Sequence, residues 1–239
     1  MSQVPARTDP LRASDVARDA ATLLLLFASA AGRRADATMR AIAAAAATHF
    51  AAFGMVTAAR IAEFLAQTAH ETGGFVRFEE DLRYSAQRLA EVWPTRFAID
   101  ARAHVKAPNA RARALAGRPE AIANAVYARA EEGNVQRGDG WRFRGRGMIQ
   151  LTFRNNYAAA GRRLGLDLVE RPDLAAEPAT SLLIALDFWK RAAVNAACDA
   201  GDFRGARGLT NCGSRTPRVV PIGLADVAVR RTRLLSMLG

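Results

Sequence analysis

The stretch AQTAHETGGFVRFEEDLRYS, residues 66–85, sets Glu71, Glu79, Glu80 and Asp81 on either side of a Gly73-Gly74 pair. Two carboxyl groups brought face to face across a turn suit a reaction in which one gives a proton and the other takes one from water. Counting at about 100° per residue, Glu71 falls about 20° from Phe64, at the edge of an apolar stripe of Ile61, Phe64, Leu65 and Thr68. A carboxyl there is expected to be partly desolvated and so to stay protonated as an acid. The competing reading is a helix-end glutamate that curls into solvent. Glu79, Glu80 and Asp81 lie where the chain can double back; their competing reading is a solvated acidic turn. Ser85 stands where an N-cap for AQRLAEVW would stand. His70 points to another side of the helix, and Gly74 occupies the place of the second His of a helical zinc-protease motif, so no metal site is expected.

These groups need helices to position them. Residues 1 to about 14 are polar and read as a loose tail. Helical patterning follows through ASDVARDAATLLLLFASAAG and ADATMRAIAAAAATHFAAFG, with Gly54 as a stop, and through TAARIAEFLAQTAHETGG, ended by its two glycines. Residues 75–85 read as a loop or small hairpin, and Pro94 cuts the next helix. EGNVQRGDGWRFRGRGM, with five glycines, reads as an irregular loop. YAAAGRRLG, PATSLLIALDFWKRAAVNAACDAG and LADVAVRRTRLLSML are again helical. Strand signal is scarce, so the expected class is mainly α. The domain layout read from the sequence is a flexible tail over 1–20 and one domain over 21–239.

Composition limits the function classes. The 239 residues are half hydrophobic, enough for a sizeable core, and carry 34 Lys+Arg against 23 Asp+Glu, a formal +11. Such a charge attracts polyanions: nucleic acid, anionic membrane surfaces or cell-wall polymers. The arginines are scattered rather than clustered, which argues against a nucleic-acid binder. Cys198 and Cys212 are too few for a disulfide framework. AATLLLLFASAAG is shorter than a membrane span and reads as a buried helix, with a signal or anchor as the other option.

AHETGGF, EDLRYS, GDGWRFRGRGMIQLTFRNNY, ALDFWK, CDAGDF and TNCG, in that order, resemble glycoside hydrolase family 19, above all its phage-endolysin and lysozyme-like branch, over residues 22–239. The resemblance implies the lysozyme-like fold of that family, no cofactor, and inversion at the sugar carbon, with two carboxyl groups ~6.5–9.5 Å apart. It implies Glu71 as general acid, Glu80 as the base that activates water, and Thr152 as the hydroxyl that helps hold that water. It implies His70, Tyr84, Ser85, Gln150, Asn156 and Asn211 as substrate-binding residues. Trp141 and Tyr157 could stack on sugar rings, against a packing alternative. Arg144 and Arg146 could lower the pKa of Glu80, and Arg146 could reach substrate, or both could hold the loop by structural pairs. Val227 stands where the family has an arginine, for which Arg230 or Arg231 could substitute, and RTPRVVPI reads as an insertion. The implied partner is a β-1,4-linked N-acetylhexosamine polymer, peptidoglycan before chitin, attacked by a monomer that reaches the wall by export or phage lysis. The alternatives are a non-catalytic wall-binding protein or an arginine-rich nucleic-acid binder.

Overall fold

The computed structural model describes residues 12–239, and these are mainly α-helical, as the patterning implies. They form two compact units. The first unit holds the described residues up to Phe78, then Gly147–Ile149 and Ala175–Gly239; the second holds Glu79–Arg146 and Gln150–Leu174. The chain passes from one unit to the other after Phe78, Arg146, Ile149 and Leu174.

The first unit opens with α1 (Ala13–Val16), α2 (Ala20–Ala31), α3 (Ala37–His49) and α4 (Ala58–Glu71). Asp19, Asp36 and Thr57 accept hydrogen bonds from the first-turn N–H groups of α2, α3 and α4, each cap worth about 1 kcal/mol. Residues 12–20, read as the end of a flexible tail, are instead built in: Val16 and Ala17 are buried in the core, and residues 1–11 of that tail lie outside the described residues. The apolar run at 20–32 is a helix of 12 residues that buries Leu23, Leu26, Phe27 and Ala30. Among the described residues no helix is long and apolar enough to cross a membrane.

The second unit contains α5 (Ala86–Val92), α6 (Pro94–Phe97), α7 (Ala110–Leu115), α8 (Pro119–Val126), α9 (Asp139–Arg142) and α10 (Arg154–Leu164). Pro94 does not simply stop the chain; it opens α6 at the position where a missing N–H costs nothing. Of the loop or small hairpin expected over 75–85, the structure has the loop, with isolated antiparallel bridges from Glu79 to Arg146 and from Arg146 to Leu151. Leu82, Leu89, Phe97, Ala112, Ile122, Ala123 and Val126 form this unit's own core.

The chain returns to the first unit as α11 (Pro178–Arg191), α12 (Val194–Asp199), α13 (Phe203–Cys212) and α14 (Leu224–Leu238). α4 is buried over the whole of Ile61–Ala69, with Phe64 edge-on to both Phe50 and Trp189. Val227, at the position where an arginine was expected, is fully buried in this core. Cys198 is buried, Cys212 is exposed, and both are free thiols; burial pushes the Cys198 thiol up to about 12.

Candidate active site

Glu71 is the last residue of α4, and residues 63, 67 and 71 fall one turn apart along that helix. Each finds a polar partner. Glu63, fully buried, accepts from Gln67 Nε2 at 2.8 Å and pairs with Arg231 Nη1 at 3.0 Å. Gln67 Oε1 accepts from Arg207 Nη1 at 3.4 Å and from the Thr210 hydroxyl. Glu71 Oε1 lies 2.6 Å from Arg207 Nη1, while Arg207, 1% exposed, also donates from Nε to the Ile222 carbonyl at 2.8 Å. The desolvated acid of this helix is therefore Glu63, whose carboxyl burial pushes up against the opposing pull of Arg231 and Gln67. Glu71, expected in that role, retains 35% of its side-chain exposure and sits on a buried guanidinium. The reason is its place: the helix ends there, at the edge of the core, where α13 delivers Arg207.

His70 stands beside it, with Nδ1 2.8 Å from Asp226 Oδ2. Its ring lies so close over Gly223 that a Cβ there would fall 2.0 Å from Nε2, which explains glycine at the start of α14. Asp226 also accepts from Arg230 Nε at 2.7 Å. His70 thus ties α4 to α14 through Asp226. Neither candidate for the displaced arginine reaches Glu71: Arg230 serves Asp226, and Arg231 serves Glu63. Asn211 Oδ1 accepts from the Ile222 N–H at 2.9 Å and so fastens the inserted segment to α13.

In the second unit, consecutive glutamates take opposite roles. Glu79 pairs with Arg144 Nη2 at 2.8 Å and Arg146 Nε at 3.3 Å. Burial pushes its carboxyl up, but the two guanidiniums outweigh that and leave it below the ordinary range. Glu80 is held differently: the Tyr127 hydroxyl donates to its carboxylate at 2.7 and 2.8 Å from Oε1 and Oε2. Burial dominates here and raises the Glu80 carboxyl, against the Tyr127 hydroxyl, the Gly145 backbone and the charge of Arg144. The arginines expected to keep Glu80 ionised thus act mainly on Glu79, which is no solvated bystander. Arg146 has no reach toward a ligand. It is 2% exposed and spends Nη2 on Asp173 at 2.7 Å and Nη1 on the Arg142 carbonyl and the Tyr157 hydroxyl at 2.7 and 3.2 Å. Asp81, by contrast, is exposed, with its carboxylate accepting from the Arg83 N–H.

Above Gly145 three polar groups converge. A Cβ at that position would lie 2.7 Å from Gln150 Oε1, 3.3 Å from Glu80 Oε2 and 3.4 Å from Thr152 Oγ1. Three functional oxygens therefore surround one point, and only glycine leaves it open. Gln150 (φ 52°) and Phe153 (φ 73°) both adopt the left-handed region, a cost of about 1–3 kcal/mol each in a segment that has to present Gln150 and Thr152 together. Thr152 Oγ1 donates to the Gln150 carbonyl at 2.8 Å, which fixes its direction.

The other expected contact residues each have a partner within the protein. Ser85 is the N-cap of α5, its Oγ accepting from the Arg88 N–H at 3.1 Å. Tyr84 packs edge-on to Trp93 with ring centroids 5.3 Å apart, and burial together with the Glu80 charge raises its phenol. Trp141 is covered by Arg144, whose guanidinium carbon lies 3.8 Å from the ring centroid. Tyr157 is fully buried, donates to the Arg144 carbonyl at 2.8 Å and offers no face for stacking. Asn156 is exposed, and its Nδ2 donates to the Thr152 carbonyl at 2.9 Å. Sequence reasoning missed Tyr127 and Arg207, the residues that hold the two carboxylates. Neither an aromatic at the end of a short helix nor one arginine among many carries a signal.

Comparison with known proteins gives this geometry a context. Residues 110–202 match the model of glycoside hydrolase family 19, described as chitinase class I. That stretch includes Tyr127, Gly145, Gln150 and Thr152 and begins after Glu71 and Glu80. A glycosyl hydrolase family 19 domain-containing protein of Haemophilus influenzae is 39% identical over 140 residues, 57% of this chain and 64% of the relative. An acidic 27 kDa endochitinase of Solanum lycopersicum is 50% identical over 70 residues, 29% of this chain and 27% of the relative. The chain thus spans about two thirds of the first relative's length or less. Chitinase C from Streptomyces griseus shares the fold, with a TM-score of 0.57 at 20% identity over 90% of this chain and 91% of its own. A further bacterial family 19 chitinase matches with a TM-score of 0.53 at 19% identity, over 90% and 93%.

Proposed function

We propose, for a chain that carries a glycoside hydrolase family 19 segment and the fold of family 19 chitinases, that it hydrolyses β-1,4 bonds of an N-acetylhexosamine polymer with inversion. The observation that supports this most is the convergence of Glu80, Gln150 and Thr152 above Gly145. A water in that space can give one proton to Glu80 Oε2 and its other hydrogen to Thr152 Oγ1 or Gln150 Oε1 as acceptor, which leaves a lone pair free to attack. The water oxygen attacks the anomeric carbon as the bond from that carbon to the glycosidic oxygen breaks, and the departing glycosidic oxygen takes a proton from Glu71, which Arg207 keeps in place. A carboxyl lifted by burial is closer in basicity to neutral pH and so makes a stronger general base than an exposed one. The two environments alone would also permit Glu80 as acid and Glu71 as base; the resemblance of AHETGGF to the family's acid-bearing segment favours Glu71 as acid in this reading.

Peptidoglycan is the preferred polymer in this reading, because a formal +11 favours an anionic cell wall over neutral chitin. The endochitinase character of the tomato relative favours chitin as the second reading. A turbidity assay on exposed peptidoglycan, run beside release of sugars from chitin oligomers, separates the two. Lysis without chitin cleavage is expected; chitin cleavage without lysis assigns the second reading, and neither activity removes the proposal.

A further inference from the structure

Away from the groups that surround Gly145, the second unit holds a solvent-open surface cavity of about 600 Å3 lined by Arg118, Pro119, Glu120, Ala121, Asn124, Arg137 and Gly138, with Arg118, Glu120 and Arg137 exposed. We propose that this cavity is a carboxylate subsite, which takes the acidic groups borne by a peptidoglycan strand and absent from chitin. This rests on the family 19 hydrolase reading above and adds the feature of the substrate that is recognised.

The lining is biased toward donors. Among the described residues, neither the Arg118 nor the Arg137 guanidinium has an ion-pair, ring or hydrogen-bond partner, whereas Arg142, Arg144, Arg146 and Arg154 of the same unit are paired. Asn124 Oδ1 accepts from the Trp141 backbone N–H at 2.9 Å, which leaves the Nδ2 donors for the cavity. Two planar forks and an amide suit the planar, bidentate acceptor geometry of a carboxylate. Glu120 is the one acidic group on the wall. It leaves the lining with a net single positive charge, suited to a singly charged carboxylate and poorly suited to a phosphodiester polymer that brings several.

Its position suits a strand that also occupies the candidate active site. Arg118 directly precedes α8, and Tyr127, which holds Glu80, directly follows it. At 1.5 Å per residue the helix sets the two ends about 12 Å apart, so a polymer laid along it can offer a sugar bond at one end and an acidic substituent at the other.

The test uses the full chain carrying Glu80→Gln, so that ligands survive, and calorimetry with three tetrasaccharides. The first is a peptidoglycan strand with its stem peptides; the second is the same strand after amidase treatment, which leaves a free lactyl carboxylate; the third is the chitin tetramer. The carboxylated strands are expected to bind about tenfold tighter than chitin, in keeping with a charge-assisted bidentate contact. Adding Arg118→Gln and Arg137→Gln is expected to erase that preference and leave chitin affinity as it was, while Glu120→Gln enlarges it. Retention of the preference by the amidase-treated strand assigns the lactyl group, and its loss assigns the stem peptide. Equal binding of all three ligands, a preference that survives both arginine substitutions, or no binding at all overturns the subsite. If the unsubstituted protein cleaves neither polymer while arginine-dependent binding persists, the hydrolase reading falls and the subsite stands.

Discussion

Glu71 and Glu80 are held by opposite means. Glu71 ends a buried helix, keeps a third of its surface and rests on a guanidinium that is itself buried. Glu80 follows an ion-paired neighbour, is desolvated, and has a neutral phenol as its side-chain partner. A charged partner fixes a carboxylate in place; a phenol with low exposure fixes it while leaving its basicity high. A single loop achieves the second by alternation, since Glu79 turns to Arg144 and Arg146 and takes most of their charge, leaving an Arg144 contribution at Glu80 that burial outweighs.

The sharpest way to break this comparison is to remove each charge in turn. Glu71→Gln and Glu80→Gln are each expected to lower kcat by about a thousandfold or more, on whichever polymer the protein cleaves. The two should part on aryl glycosides. A good leaving group needs no acid, so Glu71→Gln recovers much of its rate there, whereas Glu80→Gln does not. The reverse pattern would exchange the two roles.

Gly145→Ala comes next in size. The added methyl meets Gln150 Oε1 at 2.7 Å and Glu80 Oε2 at 3.3 Å, so the cradle must open by a fraction of an ångström to about one. An expected loss of about a hundredfold in kcat with a nearly unchanged melting temperature distinguishes a site glycine from a folding one. A large fall in melting temperature with normal kcat per folded molecule would make Gly145 structural.

Tyr127→Phe has a smaller effect with a definite sign. The phenol's hydrogen bond pulls the Glu80 carboxyl down against burial, so without it burial lifts the group further. The base works when ionised, and the acidic limb of the pH–kcat profile should therefore move to higher pH. A limb that stays in place or moves down contradicts the assignment of Glu80 as base.

The smallest effect is on stability. Glu80 has a folded-state pKa above its unfolded value, so its contribution is present at low pH and is lost as pH rises through the folded value. Glu80→Gln should melt slightly higher than the parent protein at neutral pH, with the gap closing below the ordinary glutamate range. Thermal melts at two pH values check this.

Much of the helical scaffold was legible, because periodic apolar faces and capping residues such as Asp19, Asp36 and Ser85 act locally. The helices around residues 110–126 and 203–212 carry no long apolar stripe and were not read. The site was legible only in its identities. Spacing gave Glu71 a stripe edge, but the helix ends at that point and the buried glutamate proved to be Glu63, about two turns earlier in the same helix. The choice of Glu80 over Glu79 depends on which side of an extended loop faces the arginines, a fact set by residues 144 and 146 some 65 positions later. The strained backbone at Gln150 and Phe153 leaves no trace in side-chain pattern, since neither is glycine.

The anomeric form of the first product tests the central claim most directly. Proton NMR recorded during the opening minutes of cleavage of purified glycan strands reads it before mutarotation. Water activated by Glu80 on the face opposite the leaving group gives the α-anomer first. Early accumulation of the β-anomer, or hydrolysis undiminished by Glu80→Gln under the same conditions, would contradict the account.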